Sequence, residues 1–306
     1  MIIPSELIPL PFTPDLAQAG IRYTCRMLLR SANLETAVRE PQMRQSVAQA
    51  IVELAILRYL TGQMIPFSTL ADAPFTDPQH TGLVLGGHRC QVYTHWLARS
   101  TENARESCFS QDFLAKKRLD FTAGPLPDAW EADDLIIVGV LSARILRSQA
   151  DSRSAWRSLE PIHLVFPQAP EWVSPHRWVD PGPLTLCSGC TIPIEVEIEG
   201  LDAQRHPLCE TIALAPGETK EAQGRYYALA AVQIFQAPDG PLALRYPNRT
   251  QGCTIQPRQW INLWLYGAQI ALLGYQRRAD TRRGAPYSDL QSLGNLFHRL
   301  KEWTVR

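Results

Sequence analysis

TDPQHTGLVLGGHRCQVYT, residues 76–94, decides how the chain is read. Gly86-Gly87 stands between two strand-like runs, Gly82–Leu85 and His88–Tyr93. A glycine pair tolerates the positive φ angles of a two-residue hairpin turn. Such a turn fixes the register: Leu85 faces His88, Val84 faces Arg89, Leu83 faces Cys90, and Gly82 faces Gln91. Side chains alternate along a strand, so Gln91 and Tyr93 share one face.

Upstream of the hairpin, apolar residues recur at helical spacing over residues 16–30 and 42–62. The second run carries Val47, Ile51, Leu54, Ala55, Leu57 and Leu60, and Gly62 fits a helix stop. Between this helix and the hairpin, three prolines in MIPFSTLADAPFTDP (residues 64–78) break the periodicity and leave room for a short strand at most. Downstream, a polar helical stretch spans residues 111–118, and Asp134-LIIVGVL reads as a buried central strand. From about Pro161 to Arg249 the runs HLVFP, LTLC, PIEVEIEG, ETIAL and YYALAAVQIF, separated by Pro, Gly and Asp, predict a small antiparallel sandwich or barrel. WINLWLYGAQIALLGYQRR (residues 260–278) returns to strand character. Residues 289–303 predict a closing amphipathic helix with Leu290, Leu293, Leu296, Phe297 and Leu300 on one side.

Composition sets outer bounds. At 306 residues the chain exceeds one ordinary core, so two domains or one domain with an insertion is expected. Thirty basic and thirty acidic residues cancel, so nucleic-acid binding would have to come from a local patch rather than global charge. No run approaches the roughly 18 apolar residues of a membrane span, and the first residues lack the form of a secretory signal, so a cytoplasmic protein without membrane contact is expected. Seven scattered cysteines in a chain this long read as small buried hydrophobes rather than a disulfide framework.

The order of a helix, a Gly-Gly hairpin ending in V-x-T, DDLIIV and IALLGY resembles the PD-(D/E)xK, or restriction-endonuclease-like, nuclease superfamily. The resemblance covers residues 16–140 and 260–283. It implies a metal site with an acidic residue on the helix, a second where the hairpin begins, and an acidic-x-Lys motif on the return strand. Glu53 falls at the helical acid, Gly82 at the second acid, Gln91 at the third and Tyr93 at the lysine. Glycine offers no ligand, and glutamine only a neutral carbonyl. Tyrosine lacks the lysine's charge, with a pKa near ~10. Glu53 alone would be a weak anchor for Mg²⁺, which dehydrates reluctantly. The motif positions therefore imply a degenerate, inactive site with no cofactor. An active Mg²⁺-dependent alternative would need relocated ligands, for which Asp77, His80, His88 and His95 lie near the hairpin.

Three further groups carry possible chemistry. Arg277, Arg278, Arg282 and Arg283 crowd the end of the last core strand and could grip phosphates, or simply form a solvated strand end. Cys187-x-x-Cys190 with His206-x-x-Cys209 has the spacing of a small zinc knuckle, although Cys190 and Cys209 each open a strand where a small residue packs. Trp260, Trp264 and Tyr266 alternate at period two, which fits packing better than base stacking. The expected architecture is an α/β restriction-endonuclease-like mixed sheet flanked by helices, residues 1–150 plus 253–306, with an inserted antiparallel β-sandwich-like domain over 151–252. Its expected role is a catalytically inactive accessory that binds DNA or another protein. A purely structural or protein-interaction role is the further alternative.

Overall fold

Gly86 and Gly87 form the turn that their sequence dictates, with left-handed φ angles of 56° and 84°. The strands they join pair Leu85 with His88, Val84 with Arg89 and Leu83 with Cys90, the register set by a two-residue turn. Gly82 lies outside the described residues. A computed structural model of the chain describes residues 3–28, 40–69, 83–99, 114, 131–145, 163–167, 182–245, 252–263, 265–280 and 286–304. The protein is mixed α/β and mostly strands, and it divides into two units. One comprises Met1–Leu16, Ala48–Arg144 and Gly267–Arg306, the other Ala17–Val47 and Ile145–Tyr266. No described helix is long and apolar enough to cross a membrane.

The first unit is built on a six-stranded mixed sheet. With strands numbered in chain order, its members are β1 (Ile8–Leu10), β2 (Ser68–Thr69), β3 (Leu83–Leu85), β4 (His88–Arg99), β5 (Leu135–Ile145) and β15 (Leu265–Arg277). Their spatial order is β1-β15-β5-β4-β3-β2. β2, β3 and β4 are antiparallel neighbours, whereas β5 runs parallel to β4. β5 is buried from Leu135 to Ala143, which explains why its sequence is continuously apolar rather than alternating.

Helices α1 (Pro14–Leu28), α2 (Glu40–Gly62) and α3 (Leu293–Thr304) accompany the strands. α2 ends at Gly62, but the left-handed residue that turns the chain is Met64, at φ 53°, and Ile65 N–H closes back on Leu60 O at 2.9 Å. The helix thus stops at the glycine that the sequence suggested, and the left-handed turn follows two residues later.

α2 covers one face of the sheet. Gly139 on β5 pairs with Thr94 on β4, and a Cβ on Gly139 would stand 2.6 Å from Val52 Cγ1 of α2. On the opposite face, Ile136, Val138, Val140, Leu114, Leu273, Tyr287 and Leu290 form an apolar cluster against which Tyr93 and Leu97 pack. α3 buries Leu293, Phe297 and Leu300. Its Phe297 ring lies 6.0 Å from Tyr59 of α2, and Leu300 approaches the hairpin turn so closely that a Cβ on Gly86 would lie 2.7 Å from Cδ2.

The second unit carries two antiparallel sheets. β6 (Leu164–Pro167), β8 (Ile194–Leu201), β9 (Pro207–Leu214), β11 (Ala228–Ile234) and β14 (Ile261–Asn262) form one, in the order β14-β6-β11-β8-β9. β7 (Gly182–Ser188), β10 (Thr219–Tyr226), β12 (Leu242–Arg245) and β13 (Gly252–Ile255) form the other, in the order β10-β7-β12-β13. Val196, Ile198, Val232 and Ile234 from the first and Leu184, Leu186, Leu242 and Leu244 from the second belong to one buried cluster. Period-two alternation supplies these inward residues, as two facing sheets require. Trp260 is part of this cluster, its ring 6.3 Å from that of Phe166.

Close packing of α2 on β5 depends on the missing side chain at position 139. Gly139→Ala should force Val52 to shift and lower stability by about 1–3 kcal/mol, read from the midpoint of urea unfolding. Gly87→Ala adds backbone strain but meets no neighbouring atom, so it should cost less than Gly86→Ala, which adds strain and a clash with Leu300.

Candidate functional site

Glu53 lies on α2 one turn after Gln49, and the two side chains are bonded: Gln49 Nε2 donates to Glu53 Oε1 at 2.5 Å. The same nitrogen donates to Val92 O at 2.6 Å, and Gln49 Oε1 accepts from Thr94 N–H at 3.1 Å. Glu53 is half-buried as a residue, but desolvation of its carboxyl dominates over the Gln49 bond and pushes its pKa up from 4.5 to about 7. No charged neighbour contributes to that shift.

Gln91 and Tyr93 do share a face of β4, as the alternation requires. That face carries the apolar cluster, however, and Tyr93 packs into it opposite Val138. α2, which carries Glu53, covers the other face. The structure therefore does not bring Glu53 together with Gln91 and Tyr93, and Gly82 is outside the described residues. The buried Gln91 Oε1 has no hydrogen-bond partner among the described residues. Of the histidines that could relocate a metal, His88 is half-buried at the start of β4, and His95 meets the Tyr287 ring edge-on at 5.9 Å. Asp77 and His80 lie outside the described residues.

The acidic residues that precede β5 are engaged with basic partners. Arg89 holds Asp134 through Nη2 and Nε, at 2.9 and 3.3 Å, and Asp134 Oδ2 also accepts from Glu131 N–H at 2.7 Å. Arg277 reaches Asp133 at 3.7 Å with both side chains more than half exposed, a geometry worth little in water. Arg278 donates its backbone N–H to Asp134 O at 2.8 Å. The end of β15 thus meets the beginning of β5, and Arg277 and Arg278 stand together there. Arg282 and Arg283 are outside the described residues.

The zinc-knuckle residues are dispersed. Cys187 lies on β7 with its sulfur 2.6 Å from Thr219 Oγ1, and the buried Cys190 thiol donates to Gly240 O at 3.4 Å. His206 is exposed and sits 3.5 Å from Asp202. Cys209 lies on β9 opposite Glu199 of β8. What converges instead is a group that motif spacing missed: ligand atoms of Glu197, Glu199 and Cys209 lie within 4.8 Å of one another.

Strand alternation builds this group. In IEVEIEG, residues 194–200, Val196 and Ile198 enter the apolar core while Glu197 and Glu199 point to the other face, yet both are at most 2% exposed. Gln233 of β11 and Thr211 of β9 flank Glu197, and Ala231 and Cys209 flank Glu199. Arg22 of α1 binds both oxygens of Glu197, with Nε at 2.9 Å from Oε1, and reaches Glu199 at 3.7 Å. Gln18 and Gln233 add bonds at 3.5 and 3.4 Å.

The electrostatics follow from this geometry. Arg22 is held still further above its ordinary value by its Glu197 bond. Desolvation, with Glu199 and Glu197 adding to it, pushes the Cys209 thiol up to about 12, although the residue is exposed overall. Burial, then the charge of Arg22, pushes His163 down to about 4. The thiol and imidazole are therefore neutral near pH 7, which removes the nucleophile. Among the described residues, Glu197, Glu199 and Cys209 are the group that could hold a metal, but a guanidinium already grips Glu197. The arrangement is that of an ion-paired helix anchor, whose sequence signal is the acidic residue at every second position of a strand that also feeds the core.

Arg22→Met should leave the buried carboxylates uncompensated and lower stability by about 3 kcal/mol, and pairing it with Glu197→Leu should recover much of the loss. At Glu53 the folded pKa lies above the ordinary one, so its contribution to stability is intact below about pH 4.5 and lost as pH rises through about 7. Unfolding free energies measured from pH 4 to 8 should therefore fall by about 3 kcal/mol more in the native protein than in Glu53→Gln. No family model, curated protein or solved structure matches the chain.

Proposed function

We propose that the α/β unit is a catalytically inactive relative of the PD-(D/E)xK nucleases and that the chain is an accessory protein that binds nucleic acid or a partner protein. The order of elements supports this reading: α2, then the antiparallel β2-β3-β4 meander, then β5 parallel to β4. That succession is what the resemblance implies for a restriction-endonuclease-like core. The observed hairpin register is also consistent with reading positions 91 and 93 as the motif positions that the resemblance implies.

One observation carries the inactive half of the proposal. At the two described motif positions on β4, an amide and a phenol replace a carboxylate and an ammonium, and both point to the sheet face opposite α2 and its Glu53. Hydrolysis in such a site depends on converging carboxylates that hold a dication and on a cation beside the attacked phosphate. Glu53 instead bonds to Gln49, and Tyr93 fills an apolar cluster. For the binding half, Arg277 and Arg278 present guanidinium chemistry at the joined ends of β15 and β5. The Asp133 pairing of Arg277 is of the exposed kind with which a phosphate can compete.

Purified protein incubated with Mg²⁺ or Mn²⁺ should leave single- and double-stranded DNA and RNA uncut. Metal-dependent cleavage abolished by Glu53→Ala would overturn the inactive assignment. Binding to a DNA duplex, followed by fluorescence anisotropy, should weaken as salt rises and lose about tenfold in Arg277→Glu/Arg278→Glu. Binding indifferent to both salt and these substitutions would leave the partner-protein alternative in its place.

A further inference from the structure

We infer that Gln49 is a side-chain stand-in for a strand residue, closing the edge of β4 beyond β3, and that Glu53 is the positioning residue that sets its amide orientation. The geometry is that of sheet pairing. In a β-strand the carbonyl of one residue and the N–H of the residue two positions on point to the same side, where a neighbouring strand supplies one donor and one acceptor. Val92 O and Thr94 N–H are such a pair, and the Gln49 amide meets them with its Nε2 at 2.6 Å and its Oε1 at 3.1 Å. On its other side β4 is already committed along its length to β5, with Cys90 paired to Leu135 and onward to Arg99 with Arg144. The described β3 pairs only with His88, Arg89 and Cys90, so the Gln49 amide takes up the next backbone groups along that edge.

A primary amide has two N–H donors and one oxygen. One donor serves Val92 O and the oxygen serves Thr94 N–H, which leaves the second donor, and Glu53 Oε1 accepts it at 2.5 Å. With an acceptor at position 53, only one orientation satisfies all three bonds. Reversing the amide would set Oε1 against both Val92 O and Glu53 Oε1 and turn the NH₂ toward Thr94 N–H. Glu53, one helical turn after Gln49, therefore acts through Gln49 on the strand. The inference draws on the nuclease-like reading only in regarding position 53 as the place of the helical acid. There, a carboxyl that would have served a metal has become part of the joint between helix and sheet.

Hydrogen exchange of the Thr94 amide tests this, with the Val138 amide in the buried β5 as an internal reference. Gln49→Met, which keeps the length and removes every hydrogen bond, should speed Thr94 exchange about tenfold relative to Val138. Glu53→Ala should produce part of that loss, and Glu53→Gln, whose own amide oxygen can still accept, should retain protection. Thr94 protection unchanged in Gln49→Met, or lost equally in Glu53→Ala and Glu53→Gln, would overturn the assignment. Should Gln49→Met fail to fold, the comparison of Glu53→Ala with Glu53→Gln decides alone. Cleavage is not part of the readout, so nuclease activity would sink the functional proposal while leaving this result standing.

Discussion

The parallel register of β4 on β5, running from Cys90 opposite Leu135 to Arg99 opposite Arg144, constrains the whole α/β unit. It determines which β4 side chains enter each layer, because a slip by one residue would exchange the two faces. With this register Thr94 stands beside Gly139, and the absent side chain admits Val52 of α2. Tyr93 stands beside Val138 and joins the opposite cluster. The Gly86-Gly87 turn then carries the same register into β3, and Leu300 of α3 rests against the turn. Helix placement, core composition and hairpin geometry are in this sense one decision, made where two long strands pair.

That decision was legible where local chemistry determines it. A glycine pair between strand-like runs admits one register, and a continuous apolar run after Asp134 has few places to go except the middle of a sheet. The long periodic helix was legible for the same reason. What could not be read is which face of β4 the helix would cover, because the hairpin pattern places Gln91 with Tyr93 without saying what lies above them. The helix stop was legible too: α2 ends at Gly62, and the left-handed conformation that turns the chain follows at Met64.

The anchor of α1 was harder to foresee. Arg22 and Glu197 are 175 residues apart, and no local rule links them. An alternating IEVEIEG run reads most simply as a strand with one apolar and one solvated face. The structure buries that second face, and burial of Glu197 and Glu199 is tolerable because Arg22, Gln18 and Gln233 converge on it. The cysteine and histidine spacing pointed elsewhere because regular spacing along a chain brings ligands together only when the intervening turn folds them back. Here Cys187 and Cys209 belong to strands of different sheets.

Set side by side, Glu53 and Glu197 define what each unit asks of a buried acid. Glu197 sits in a polar cradle with a guanidinium on both oxygens. Among the described residues Glu53 has one amide donor and no charged partner, and desolvation moves it to the edge of neutrality near pH 7. A carboxylate that serves a dication gains from company, since each added negative ligand raises the attraction that must exceed the cost of dehydrating the ion. A lone carboxyl in a low-dielectric joint is more cheaply neutralised by a proton than by a strongly hydrated metal, and once neutral it can bond to an amide without electrostatic penalty. Glu53 instead belongs to the contact between α2 and β4, bonded to the Gln49 amide that meets Val92 O and Thr94 N–H. A carboxyl so placed contributes most by holding helix and strand together.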